Sequence, residues 1–267
     1  FFGGSNVTDE EAVAGIRRAI ELGLDYLDTS PLYSESERRV GLALAGGWRE
    51  QIYLQTKTGT HPEKRGDFSA AATRWSVENS LRLLKTDYLD AVLIHDPPAI
   101  ETPLAPGNAL DELLRMKEEG TIGHLGLGVR QHEFHRRAIE TGHVEIVLSY
   151  LDYTLLDQSV AHTTLPLARE RGVGIILASA LGMGRLAGPE PDPQAEPRAH
   201  AMWAWCQQRG VDLRHLALQF VLAAPIEGIA MSGPCTRQQV EEVYAAATAE
   251  VPAEVWRNFR AEFGVGL

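Results

Sequence analysis

Ala91-Val92-Leu93-Ile94-His95 is an apolar run closed by an imidazole, and two earlier segments end in the same manner. Ile52-Tyr53-Leu54-Gln55-Thr56-Lys57 stops at an ammonium group, and Leu24-Asp25-Tyr26-Leu27-Asp28 at a carboxylate. Segments this short and this rich in branched apolar residues read as strands buried on both faces. An ionisable side chain at the end of such a strand needs a reason, because burying a charge without a partner is costly. Gly123–Val129, Ile146–Tyr150, Gly174–Ala178 and Ile229–Ser232 bring the candidate strands to seven.

Amphipathic stretches separate them. Thr8-Asp9-Glu10-Glu11 is a capping box ahead of Ala12–Leu22, and Gly23 stands where a helix C-terminus favours a left-handed residue. Ser69–Leu84, Leu110–Glu119, Gln131–Glu140 and Ser159–Arg171 follow, with Gly120 and Gly172 as stops. Repeated strand-then-helix order forces parallel strands with right-handed crossovers, hence the α/β class. The predicted architecture is a (β/α)8 TIM-type barrel forming a single domain over residues 1–267. Such a barrel closes with eight strands, so the first is predicted to precede Phe1. An open doubly wound sheet is the alternative, and it would carry G-x-G-x-x-G in its first strand-to-helix turn. Gly182-Met183-Gly184 continues instead as Arg185-Leu186-Ala187. The Pro-rich stretches Pro97–Asn108 and Gly188–Arg198 each follow a strand and are predicted to lie over the C-terminal mouth.

The formal net charge is −11 over 267 residues, which argues against a surface for nucleic acid. Cys206 and Cys235 are too few for a disulfide framework, so a reducing compartment, the cytoplasm, is expected. No apolar run reaches the roughly 18 residues that a membrane span needs. Phe1-Phe2-Gly3-Gly4 does not resemble a secretory signal. The histidines lack H-x-H and H-E-x-x-H spacing, and no metal is expected. The expected partner is a small molecule, for a monomer or a homo-oligomer.

In a parallel barrel Asp28, Lys57 and His95 would be neighbours around one mouth, and Tyr33 lies in the loop just beyond Asp28. A phenol with a pKa near ~10 is a poor proton donor at neutral pH unless an adjacent cation stabilises the phenolate. Lys57 is placed to be that cation, Asp28 to brace it, and His95 to orient a substrate oxygen. The quartet could give a proton to a carbonyl oxygen or take one from an alcohol. No side chain supplies hydride, so a nicotinamide cofactor is implied. Each residue alone has a plainer reading: Asp28 as a cap in Asp28-Thr29-Ser30-Pro31, Lys57 and His95 as surface or satisfied core groups. An isomerase or aldolase using Lys57 in a Schiff base is a further alternative.

Leu27-Asp28-Thr29-Ser30-Pro31-Leu32-Tyr33-Ser34-Glu35-Ser36-Glu37 resembles the D-T-x-x-x-Y-x-x-S-E signature of the aldo-keto reductases. Gln55-Thr56-Lys57 and Asp87-Tyr88-Leu89-Asp90, leading into Leu93-Ile94-His95-Asp96-Pro97, continue that family's order and spacing. The resemblance implies a (β/α)8 barrel binding NAD or NADP across its mouth, with Asp28, Tyr33, Lys57 and His95 catalytic. Within the family, Val147–Tyr153, Gly172–Ile176 and Ala178–Gly184 look closest to the aldose and L-galactose dehydrogenase branch. That branch implies a small sugar or hydroxyaldehyde substrate.

The resemblance also carries a cofactor-binding set: Arg130, Tyr150, Ser179, Leu181, Gly182, Ser232, Gly233, Pro234, Thr236, Arg237, Gln239 and Glu242. Departures fall within it. Arg130 stands where the family usually has Asn, Tyr150 where many members have Gln, and Ala178 where many have a stacking Tyr. Gly233 and Gln239 replace the lysine and arginine of NADP-specific members, leaving Arg237, and Val243 replaces an adenine-binding Asn. These departures imply relaxed or NAD-leaning use. They also keep open a catalytically slow, regulatory or channel-associated barrel that binds cofactor.

Overall fold

The computed structural model describes residues 2–267. Thr8 accepts from the Glu11 backbone N–H while the Glu11 side chain accepts from the Thr8 N–H, so the capping box starts α1 (Asp9–Glu21) as the sequence predicts. Gly23 follows it with φ +84°.

The strands are β1 (Tyr26–Asp28), β2 (Tyr53–Thr58), β3 (Leu89–His95), β4 (Ile122–Gly128), β5 (Ile146–Tyr150), β6 (Gly174–Ala178) and β7 (Gly228–Ala230). They form one parallel sheet in the order β1-β2-β3-β4-β5-β6-β7. Each strand lies beside its predecessor, and the order never reverses. A doubly wound sheet requires a reversal at its switch point, so that alternative is excluded. The registers are staggered: Asp28 pairs with Gln55, Lys57 with Leu93, His95 with Gly128, and Tyr150 with Ala178. Stagger of this kind curls a sheet toward a barrel.

Between and after the strands run α2 (Ser36–Ala43), α3 (Ala70–Leu84), α4 (Glu101–Leu104), α5 (Ala109–Glu118) and α6 (His132–Glu140). Then come α7 (Thr164–Arg171), α8 (Pro197–Gln207), α9 (Leu213–Leu222), α10 (Arg237–Thr248) and α11 (Ala253–Phe263). The expected helix Ser159–Arg171 is divided into a 3-10 turn over Ser159–His162 and α7. Pro166 explains the break: it lacks an N–H and is harmless only in the first turn, so α7 cannot extend far upstream.

β1 and β7 are the two edges of the sheet. Helices α1 and α10 pack together there, joined by Arg18 Nε to Glu241 Oε1 at 2.9 Å. The strand expected ahead of Phe1 lies outside the described residues. Among those residues no helix is long and apolar enough to cross a membrane.

Strand periodicity divides the inner face of the curl. Tyr26, Asp28, Gln55, Lys57 and His95 line the β1–β3 side, where Tyr26 donates to Gln55 Oε1 at 2.7 Å. Leu93 of β3 joins Leu148 and Ile176 in a small inner cluster against which Tyr26, Ile146, Tyr150, Ala178, Ile229 and Met231 pack, most of them on the β5–β7 side. Gly126 lies between the two walls. A Cβ there would sit 2.3 Å from the Ile146 carbonyl oxygen and 2.6 Å from Leu93 Cδ2. Only glycine lets β4 approach β5 and Leu93 this closely.

Candidate active site

Asp28, Lys57 and His95 end three neighbouring strands, and the structure brings them together with Tyr33. Lys57 is 1% exposed, and its Nζ donates to Asp28 Oδ1 at 2.6 Å, Asp28 Oδ2 at 2.5 Å and the Thr29 carbonyl at 2.9 Å. Gln55 Nε2 donates to Asp28 Oδ1 at 2.6 Å, so two side chains of β2 fix the carboxylate. The Lys57 Nζ lies 4.8 Å from the Tyr33 ring centroid and also hydrogen-bonds the phenol oxygen. The Tyr33 and His95 rings meet edge-to-face with centroids 5.9 Å apart. Four residues separated by up to 67 positions in sequence thus share one pocket. Lys57 is an ammonium whose hydrogens are engaged by carboxylate, carbonyl and phenol. A Schiff-base lysine needs a free lone pair on that nitrogen, and this arrangement does not offer one.

Tyr33 departs from expectation in one respect. Lys57 does favour the phenolate, but burial outweighs it, and Asp28 and Asp96 add to the upward push. The phenol is therefore held above its ordinary pKa and is a firm proton carrier at neutral pH. The same burial, with the Lys57 charge, depresses His95 to about 3. A neutral imidazole results. His95 Nδ1 meets Ser30 Oγ at 3.2 Å and Thr60 Oγ1 at 2.8 Å. Ser30 Oγ also accepts from the Leu32 N–H at 3.1 Å. A hydroxyl donating to Nδ1 puts the ring proton on Nε2, the nitrogen 3.6 Å from Asp96 Oδ2.

Four residues around the quartet carry weaker sequence signals. Thr60 and Ser30 hold the imidazole, and nothing in their spacing announces it. Glu37, in the S-E pair of the motif, is buried and accepts from Thr56 Oγ1 at 2.6 Å, and burial pushes its pKa up. Asp96 follows His95 with φ +40° and accepts from the Tyr150 hydroxyl at 3.2 Å. Its other oxygen lies 3.6 Å from His95 Nε2.

The residues expected to hold a cofactor spread along the ends of β4 to β7. Arg130 is exposed, with Nη2 3.5 Å from Asp157 Oδ2. Tyr150 reaches across to Asp96. Ser179 (φ +62°), Leu181 and Gly182 (φ +59°) form a tight turn after β6, closed by the Gly182 N–H on the Ser179 carbonyl at 2.8 Å. Beneath them lies the apolar inner wall, a floor suited to one face of a flat aromatic ring. Ser149 and His132 are engaged by the buried Asp152, the latter at 2.8 Å, so that cluster belongs to the scaffold.

Ser232, Gly233 and Pro234 lead from β7 to α10. Thr236 caps α10 by accepting from the Gln239 N–H at 3.2 Å, and Gln239 Oε1 accepts from the Cys235 N–H at 2.7 Å. Arg237 pairs with Glu241 at 3.2 Å. Glu242 is held by Arg214 at 3.1 Å and by Gln238 at 2.8 Å. The donor set therefore fits an elongated ligand with a planar ring over the inner wall and anionic groups near the start of α10. Among the described residues no group of three or more His, Cys, Asp or Glu side chains could hold a metal.

Comparisons with known proteins identify the family. The profile of the Aldo/keto reductase family matches residues 1–261. The chain is 32% identical to L-galactose dehydrogenase of Arabidopsis thaliana over 255 residues, covering 91% of this chain and 79% of that protein. It is 28% identical to D-threo-aldose 1-dehydrogenase of a Pseudomonas species over 286 residues, covering 94% and 87%. Its structure is similar to the holo form of an aldo-keto reductase from Bacillus halodurans, with TM-score 0.78, 26% identity, and coverage of 96% and 88%. With family profile, curated relatives and structural similarity in agreement, the chain belongs to the aldo/keto reductase family of enzymes.

Proposed function

We propose that this chain is an NAD(P)-dependent oxidoreductase that interconverts a carbonyl and an alcohol or lactol on a small sugar-like or aldehyde substrate, with Tyr33 as general acid and base. One observation carries the reading: Lys57 is braced by both Asp28 oxygens while it contacts the Tyr33 phenol, and His95 faces the same space. The sugar dehydrogenases among its relatives support the substrate class.

A nicotinamide cofactor, when bound, supplies or accepts the hydride. Arg130, Tyr150, Ser179, Leu181 and Gly182 would hold its ring end. Ser232, Gly233, Pro234, Thr236, Arg237, Gln239 and Glu242 would hold its adenosine end. In reduction, Tyr33 gives its hydroxyl proton to the substrate oxygen as negative charge develops there, and Lys57 steadies the phenolate left behind. His95 donates Nε2–H to the same oxygen and fixes its direction. Because His95 is neutral down to about pH 3, it donates without delivering a full charge. In oxidation the roles reverse, and the phenolate must form first. The raised Tyr33 pKa therefore makes oxidation accelerate toward alkaline pH while reduction stays flat through neutrality.

We take residues 1–267 as one unit, the wall of a (β/α)8-type barrel with β1 and β7 at the edges of its sheet. Two cysteines, Cys206 and Cys235, are too few for a disulfide framework and support a reducing compartment such as the cytoplasm. Tyr33→Phe tests the reading. Turnover, followed at 340 nm with both cofactors and a panel of sugars and aldehydes, should fall by about 100-fold or more. Quenching of tryptophan fluorescence by cofactor should persist. Wild-type turnover in the variant would overturn the assignment.

A further inference from the structure

We infer that Asp96 accepts a hydrogen bond from a hydroxyl on the carbon next to the reacting one, so that the site selects uncharged α-hydroxycarbonyl compounds over plain aldehydes and over α-keto acids. This deepens the proposed function and rests on its reading of Tyr33 and His95.

Asp96 has no evident task in folding. No helix begins at it, since α4 starts at Glu101, and among the described residues no backbone N–H donates to its carboxylate. Its φ of +40° is one that L-residues avoid, though aspartate tolerates it better than most. Residues held in such backbone regions persist where the surroundings fix them, often at binding sites. Here the fixing groups are visible: the Asp96 N–H donates to the Gly128 carbonyl at 2.9 Å, and the Tyr150 hydroxyl donates to Oδ1 at 3.2 Å. The turn thus aims the carboxylate back over the pocket.

Oδ2 lies 3.6 Å from His95 Nε2, beyond hydrogen-bond range, and the side chain is 38% exposed. The two atoms form a donor and an acceptor side by side. A carbonyl oxygen on Nε2–H places a hydroxyl of the adjacent carbon against Oδ2, matching donor to acceptor. An aldehyde without that hydroxyl leaves the carboxylate without its donor. The charges sharpen the choice. With His95 neutral, a carboxylate on the carbon next to the carbonyl would face the Asp96 carboxylate, acceptor against acceptor, and be disfavoured.

Two variants test this without straining the turn: Asp96→Gly removes the side chain and accepts the left-handed φ, and Asp96→Asn keeps an acceptor but not the charge. The measurement is kcat/KM for glyceraldehyde, propanal and pyruvate in cofactor-loaded enzyme. Wild type should prefer glyceraldehyde to propanal by about tenfold or more. D96G should bring that ratio down to about one, and D96N should restore most of it while raising turnover of pyruvate relative to glyceraldehyde. Equal losses on glyceraldehyde and propanal in D96G, or a wild type with no preference, overturn the assignment of Asp96 and leave the quartet standing. A wild type that reduces no carbonyl compound with either cofactor overturns the proposed function, and this inference with it.

Discussion

Asp28→Asn leaves one amide oxygen where two carboxylate oxygens now receive three hydrogen bonds, two from Lys57 and one from Gln55. If the amide oxygen stays toward Lys57 and Gln55, its NH2 replaces Oδ2 at 2.5 Å from the ammonium, donor against donor. An unsatisfied buried donor costs about 1–3 kcal/mol. A buried charge stripped of its partner costs about 3–5 kcal/mol. The two overlap, and water reaching the 12% exposed Asp28 side chain lowers the sum. The net loss is set at about 3–5 kcal/mol, equivalent to a fall in Tm of roughly 6–20 °C for a chain of this size. Activity should fall with it, since Lys57 no longer sits squarely at the phenol.

Lys57→Met and the double variant complete the cycle. Removing both charges leaves an apolar stem beside a neutral amide, so the double variant should be more stable than the summed losses imply, by about 2–3 kcal/mol, while remaining inactive. Urea denaturation followed by tryptophan fluorescence reads the stabilities. Additivity within about 0.5 kcal/mol would mean that the two groups do not depend on each other, and the braced ammonium would lose its basis.

Two further outcomes follow from buried groups. His95 and His135 are depressed by burial to about 3 and about 4, below the ~6.5 of an unfolded chain. Their contribution to stability is complete above about pH 6.5 and is lost as pH falls toward those values. Between about pH 6.5 and 5 ordinary carboxylates do not titrate, so a fall in urea midpoint there reports the histidines, against an opposite contribution from the raised Glu37 and Asp152. His135→Gln should flatten that slope, and an unchanged slope would count against it. Gly126→Ala should cost more than about 2 kcal/mol, because its Cβ meets the Ile146 carbonyl oxygen at 2.3 Å, whereas Gly174→Ala meets nothing closer than 3.6 Å. Equal denaturation midpoints for the two would contradict the close approach of β4 and β5.

The strands carrying the quartet were legible because apolar runs are interrupted only where a polar group is needed, and Asp28, Lys57 and His95 mark those interruptions. Strand order followed from the repeated units. Helix α9 was not legible: Leu213–Leu222 is apolar on most sides, with little periodic contrast. Nor was α2, which begins inside the motif whose residues drew attention as chemistry. Asp96 could be read only as a neighbour of His95, since its orientation depends on a left-handed turn and on Tyr150 from a strand two places away. The sign of the Tyr33 shift was hidden for a related reason. Sequence shows the lysine beside the phenol but not the depth of burial that outweighs it.

The division of the inner face has a consequence for how such a protein changes. Groups that handle oxygen and protons descend from β1, β2 and β3, and the smooth surface opposite descends mainly from β5, β6 and β7, with Leu93 of β3 joining it. A substitution such as Ala178 or Met231 to a bulkier residue can therefore alter which flat partner is seated, or how tightly, without disturbing acid–base chemistry. Novelty can accumulate on one bank of the channel while the other is kept intact.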